Sequence, residues 1–134
     1  MRSLSPNAGI DPLSRRILLV DAAFETVVAV LLSGLVGRAH WWLNVERPVT
    51  LIGAGVFAVA AVVLAVAAFH PATNERFVRA IAFANLTSGL AIWIAAILKW
   101  SQFEDGGHWL VSFVADGCLV LAALQFLAIR RPAS

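Results

Sequence analysis

Three carboxylic acids stand where the sequence offers them no water. Asp21, Glu25 and Asp116 each lie within a long apolar run, while the other five acids lie outside such runs. A charge at the centre of a bilayer costs on the order of 2.5–3.5 kcal/mol, so such acids face a bundle interior and find partners. Two chemistries follow from acids so placed. One is binding or relay of a proton or cation. The other is structural, a carboxyl group hydrogen-bonded to an amide or hydroxyl on another helix. Asn85, Thr87, Ser88, Ser33 and Gln125 supply such amides and hydroxyls within the same runs.

The elements that position these residues follow from composition. Of 134 residues, 60% are hydrophobic and 13% are charged. A soluble domain carries about 25% charged residues, so a water-soluble globule and a disordered chain are both excluded. A spanning helix needs about 20 mostly apolar residues. Four runs meet that length: 17–37, 49–69, 77–98 and 109–129. They are too long for barrel strands and do not alternate polar with apolar, so they are helices. The expected fold is all-α, an antiparallel bundle of four transmembrane helices. Residues 1–16 form a polar N-terminal tail and residues 130–134 a basic C-terminal one. The first run is full length and carries two acids, so a retained span is expected instead of a cleaved signal.

Depth along each helix, at 1.5 Å per residue, places the polar groups relative to one another. Asp21 sits about 6 Å into its span, near the level of Gln125 and close enough to the end to reach water. Glu25 sits about 12 Å in, near the level of Asn85. Asp116 lies in the opposite half, near Ser33. Asp21 and Glu25 are one turn apart and share a helix face. Asp116 and Gln125 are nine residues apart, about 180° around a helix, and cannot share one narrow axis. Glu25 and Asn85 are therefore the expected interior pair, ahead of Asp21 and Gln125.

Helix association inside a bilayer relies on close approach of small residues, because lipid is as apolar as leucine. Ala54, Ala58, Ala61, Ala65 and Ala68 form a seam spaced 4, 3, 4, 3, and Ala22, Thr26, Ala29 and Ser33 form one spaced 4, 3, 4. The first two spans are expected to pack seam to seam, with a left-handed crossing from the 3.5-residue period. Ala80, Ala84 and Ser88 make a shorter stripe on the third span. Pro48 suits the first turn of the second span, and Thr73 or Asn74 can cap the third.

The outer loops hold little chemistry. His40 and His108 flank span ends with Glu46, Glu104 and Asp105 nearby, and are weak candidates for metal or haem ligands. Their spacing matches no tight ligand motif, so interfacial histidines are expected and no metal or cofactor. Glu104 to His108 reads as a turn before the fourth span. Cys118 is solitary, and no phosphate loop, nucleophile elbow or zinc-protease motif occurs. Trp41, Trp42, Trp100 and Trp109 lie at the predicted outer boundary as an anchoring belt.

In architecture the chain is similar to the small multidrug resistance transporters, which are also short four-span proteins with a key glutamate in the first span, the place of Glu25. That likeness implies transport. It departs from their pattern in having no tyrosine. The pattern Val20-Asp21-Ala22 with Ala84-Asn85-Leu86 also resembles uncharacterised small four-span bacterial membrane proteins, a likeness that implies no activity.

Three roles remain open from these residues. The first is a non-catalytic accessory or assembly component of the plasma membrane. The second is a proton-coupled small-molecule or ion transporter acting as a homo-oligomer through Glu25 and Asp116. The third is a membrane redox or lipid-modifying enzyme using His40 and His108. Membrane lipid is the expected partner, with further copies of the chain or a larger membrane complex beside it, and no nucleic acid. Arg2, Arg15, Arg16, Arg76, Arg79, Arg130 and Arg131 fall on one side of the predicted spans, and Arg38, Arg47 and Lys99 on the other. The positive-inside rule then places both termini in the cytoplasm. Reporter fusions after residue 134 and within 99–108 should read cytoplasmic and external respectively; the reverse pattern would refute this orientation.

Overall fold

The computed structural model describes residues 9–34 and 38–130. Most of the predicted N-terminal tail, the end of the first predicted span at 35–37 and the C-terminal tail beyond Arg130 lie outside the described residues. The described residues are helical, without strands. Helix α1 runs Pro12–Leu32, α2 Ala39–Trp42, α3 Arg47–Phe69, α4 Glu75–Lys99 and α5 Asp105–Arg130, with a 3-10 turn at Trp100–Gln102.

Local chemistry fixes where these helices begin. Asp11 caps α1 by accepting from the Ser14 amide at 2.8 Å, and Pro12 fills the first turn, where its missing N–H costs nothing. The helix therefore starts five residues before the predicted span, and residues 12–16 belong to it and not to a tail. Asn74 caps α4 through Phe77 N at 3.1 Å, with Glu75 in the positive first turn. Helix α5 also starts early, so 105–108 form its first turn and not a separate loop. Asp105 complements the helix dipole there, and Gly106 and Gly107 leave room for Trp42 to lie against the backbone. The Glu104 amide donates to Trp42 O at 2.9 Å, which ties this end to α2.

Three helices, α3, α4 and α5, are long and apolar enough to cross a membrane. Helix α1 is 21 residues long but carries Arg15, Arg16, Asp21 and Glu25. The outward faces are strongly apolar: Val59, Val62, Ile97 and Leu98 are all exposed, while Asp21 and Gln125 are fully buried. That is the reverse of a soluble protein, in which buried charge is rare and the surface is covered with it.

Two antiparallel hairpins account for most of the packing. Helix α1 packs on α3, and α4 packs on α5. The hairpins meet mainly through α1 and α5, and Val78 of α4 joins Leu18 of α1 and Leu64 and Ala68 of α3 in one buried cluster. Arg15 reaches from α1 to the last turn of α3, donating to Ala68 O at 2.8 Å, which satisfies a carbonyl the helix end leaves free. Gly89 lets α4 approach α5 closely, since any side chain there would strike Leu119 and the Ala115 carbonyl.

The small-residue seams enter the α1–α3 contact only in part. Ala22, Ala29, Ala54, Ala61 and Ala68 are buried, and Ser33 and Ala65 are half-buried. Ala58 and Thr26 are exposed, and the Thr26 hydroxyl turns back to Ala22 O at 2.8 Å. The four-residue steps to Thr26 and Ala58 turn about 40° beyond Ala22 and Ala54, past the edge of the buried face, while the seven-residue steps Ala54, Ala61 and Ala68 stay on it. Leu64 and Ala67 take up the contact instead. The stripe Ala80, Ala84 and Ser88 faces outward, and Val78, Ala82, Asn85 and Gly89 face the interior. Ala61→Leu should overpack the hairpin by about 1–3 kcal/mol and lower the melting temperature in detergent; Ala58→Leu, on the exposed face, should leave it nearly unchanged.

Candidate functional site

Three helices bring one buried polar cluster together. Asp21 on α1, Asn85 on α4 and Gln125 on α5 form a closed triangle of hydrogen bonds. Asn85 Nδ2 donates to Asp21 Oδ2 at 2.8 Å and to Gln125 Oε1 at 3.0 Å. Gln125 Nε2 donates to the same Asp21 Oδ2 at 2.7 Å. Asp21 and Gln125 are 0% exposed and Asn85 is 6% exposed. Glu25 lies one turn further along α1 and is also buried. Asp21 Oδ1 and Glu25 Oε2 are enclosed without a hydrogen-bond partner.

The structure thus corrects the expected pairing. Asn85 binds Asp21 directly, and Asp21 does not reach water. The physical reason is the start of α1. Counted from Pro12, Asp21 lies about 14 Å along its helix, and Asn85, counted from Glu75, lies about 15 Å along its own. Counting from residue 17 had placed Asp21 too near the end. Gln125 is the interior member of its helix, so Asp116, half a turn away, faces out.

Asp116 belongs to a second environment. It is exposed on α5, and its Oδ1 accepts from Trp93 Nε1 at 2.8 Å. Trp93 is the one tryptophan of five that sits inside a predicted span and not at its boundary. A mid-span indole N–H needs an acceptor, and that requirement was the available signal for this pair. Asp116 also lines a groove of about 520 Å³ between α1 and α5. Its walls are Val20 and Phe24 of α1 and one face of α5 from Trp109 to Leu124.

The other candidates do not join the cluster. The Ser33 hydroxyl donates to Val30 O at 2.7 Å within its own helix end. Thr87 and Ser88 are exposed on the outward face of α4. Their positions, two and three residues after Asn85, rotate them about 200° and 300° from it. Cys118 is buried and free.

At the other end of the helices, His108 stacks on Trp100 with ring centroids 4.1 Å apart. Its Nε2 lies 2.8 Å from Trp100 O, a separation that fits the tautomer donating from Nε2. His40 lies against Trp41 instead, with centroids 5.1 Å apart and the rings tilted by 54°. Among the described residues no group of three or more His, Cys, Asp or Glu side chains is placed to hold a metal ion. The tryptophans differ in setting: Trp41, Trp100 and Trp109 are exposed, while Trp42 is half-buried against α5.

Chemically, the triangle cross-links three helices and satisfies every amide it buries at Asn85 Nδ2 and Gln125 Nε2. The neighbouring carboxyl groups of Asp21 and Glu25 face each other with no basic side chain bonded to either among the described residues. The chain matches no protein-family model, no curated protein and no solved structure.

Removing the amide that makes two of the three bonds tests the triangle. Asn85→Leu leaves Gln125 Oε1 without its donor and Asp21 Oδ2 with one. The expected loss of stability is about 1–3 kcal/mol, measured by thermal unfolding in detergent. Ser88→Ala, exposed on the same helix, should stay within about 0.5 kcal/mol of the native chain. Equal effects of the two substitutions would contradict the cross-link.

Proposed function

We propose that the protein is a four-span integral membrane protein of the plasma membrane, with both termini cytoplasmic, that serves as a non-catalytic accessory or assembly component. In this reading α1 is the fourth span. Its ionisable residues do not oppose that role, because Asp21 and Glu25 are turned inward and Arg15 caps α3 at the helix ends. Charged residues within a membrane face the interior and pair there, and long arginine side chains near helix ends reach the interface.

One observation carries the assignment. The intramembrane polar groups close on one another, Asp21 with Asn85 and Gln125, across α1, α4 and α5. Neither the α1–α5 groove nor the clefts beside α2 are lined by any of these side chains or by Glu25. A transport pathway needs its ionisable groups on a route that water or substrate can reach. Groups enclosed and hydrogen-bonded to one another across helices hold those helices together instead. Asp116 is exposed on α5 while Glu25 is enclosed, which also speaks against the two acting as one relay pair.

A second reading, a proton-coupled transporter, is favoured by one feature. Asp21 Oδ1 and Glu25 Oε2 are buried without partners, and such atoms are where a moving proton would be held. An enzymatic reading through His40 and His108 has less support, because the two rings lie against different tryptophans.

Proton flux separates the first two. In liposomes with an imposed pH gradient, the native chain should dissipate the gradient no faster than protein-free vesicles, and Glu25→Gln should change nothing. Flux that the native chain supports and Glu25→Gln abolishes would establish the transporter reading.

A further inference from the structure

The groove between α1 and α5 has a shape and a chemistry that the cluster does not explain. It follows one face of α5 from Trp109 to Leu124, fifteen residues or about 22 Å of helix. The α5 residues along it recur every three or four positions, which is the ridge a second helix lies against. Phe24 of α1 sits over Gly117, where any side chain would collide with its ring, and so sets the groove floor. Phe24 and Phe113 rings are 5.4 Å apart and make the floor aromatic. The lining is apolar except for Asp116, the one ionisable side chain in it, and the Ser112 hydroxyl one turn away.

Asp116 selects among occupants. An acyl chain would fill the groove but leave a carboxylate against hydrocarbon. Trp93 satisfies one oxygen only, and no cation reaches the other among the described residues. Charges at this depth pair with an opposite charge. A second copy of the chain does not supply one at this level. Its basic residues lie at or near helix ends: Arg47 opens α3, Lys99 closes α4 and Arg130 closes α5. Asp116 stands eleven residues, about 16 Å, inside the start of α5.

We propose that the α1–α5 groove docks a transmembrane helix of a partner protein that carries one lysine or arginine side chain at the depth of Asp116. The proposal rests on the accessory-component reading and names the chemistry of the component it assists.

The test uses the full chain in phosphatidylcholine vesicles, labelled with a fluorescence donor on its outer loop. The acceptor-labelled probes are apolar Leu/Ala helices of about 20 residues that carry at the level of Asp116 either lysine or leucine. Energy transfer should show the lysine helix binding at least about fivefold more tightly than the leucine helix. Asp116→Asn should erase that difference while keeping the Trp93 contact, since an amide oxygen also accepts. Equal binding of the two helices to the native chain would overturn the proposal, and so would a lysine preference that survives Asp116→Asn. Dodecylamine bound with the same dependence on Asp116, without any preference between the helices, would overturn it in favour of a small amphiphilic cation. Transfer between two labelled copies of the chain that blocks the lysine helix would overturn it in favour of self-association. Proton flux measured on the same vesicles keeps the two readings apart. Flux with the lysine preference intact defeats the accessory reading alone, and no flux with no preference defeats the docking proposal alone.

Discussion

Asp21 Oδ2 is the atom on which the two halves of the molecule depend. It accepts from α4 through Asn85 and from α5 through Gln125, and it is itself fixed to α1. Helix α1 is in turn the main partner of α3. Each hairpin is held by extensive side-chain packing along its length. Contact between the hairpins is thinner, confined mainly to α1 against α5. In an apolar solvent no hydrophobic force presses two such hairpins together. A carboxylate that both hairpins must satisfy supplies a specific reason for them to meet, and only in one register. Shifting the α4 register by one residue would rotate Asn85 by about 100° away from Asp21 and leave its amide and Gln125 Oε1 unpaired.

That constraint explains where small residues are needed and where they are not. Gly89 lies one turn beyond Asn85 on α4, where a side chain would strike Leu119 and the Ala115 carbonyl of α5. The short amide side chains of Asn85 and Gln125 can span the gap only if the backbones approach, and Gly89 permits the approach. On the other side, Ala54, Ala61 and Ala68 let α3 lie close to α1. The outward faces carry valine, isoleucine and leucine, which have nothing to approach within the chain. Small residues on those faces, such as Ala58 and Ala84, carry no packing role in the single chain.

Much of this was legible in the sequence, and the misses share a cause. Length and apolarity gave three of the helices within a few residues, and the caps at Pro48 and Asn74 were readable from local chemistry alone. The start of α1 was also written, as Asp11-Pro12, but the search for an apolar run set it at residue 17. That shift of five residues moved Asp21 toward water and separated it from Asn85. The rotational argument, that Asp116 and Gln125 cannot both face one axis, was sound. Rotation alone does not say which of two opposite faces is interior; that depends on which partners α1 and α4 present. The seams failed at Thr26 and Ala58 for a related reason, since a stripe of small residues does not say which of its edges lies on the partner. Helix α2 has four residues and no period to detect. Trp93 was missed because tryptophan was read only as a boundary residue.

The two opposite faces of α5 separate two demands that polar residues can meet in a membrane. Gln125 has both ends of its amide satisfied by other helices of the same chain, so it can contribute to stability and offers nothing to a second molecule. Asp116 has one oxygen held by Trp93, in a groove with apolar walls. Had both been turned inward, the interior would need a further donor, and the chain has no lysine or arginine in the middle of any helix to give one. Had both been turned outward, Asp21 and Asn85 would lose the bond that draws α5 toward α1. A nine-residue separation is thus what allows one helix to close the fold with one polar side chain and present the other. Among the described residues Trp93 alone is bonded to the Asp116 carboxyl, and a group that is expensive in isolation is informative about what lies beside it.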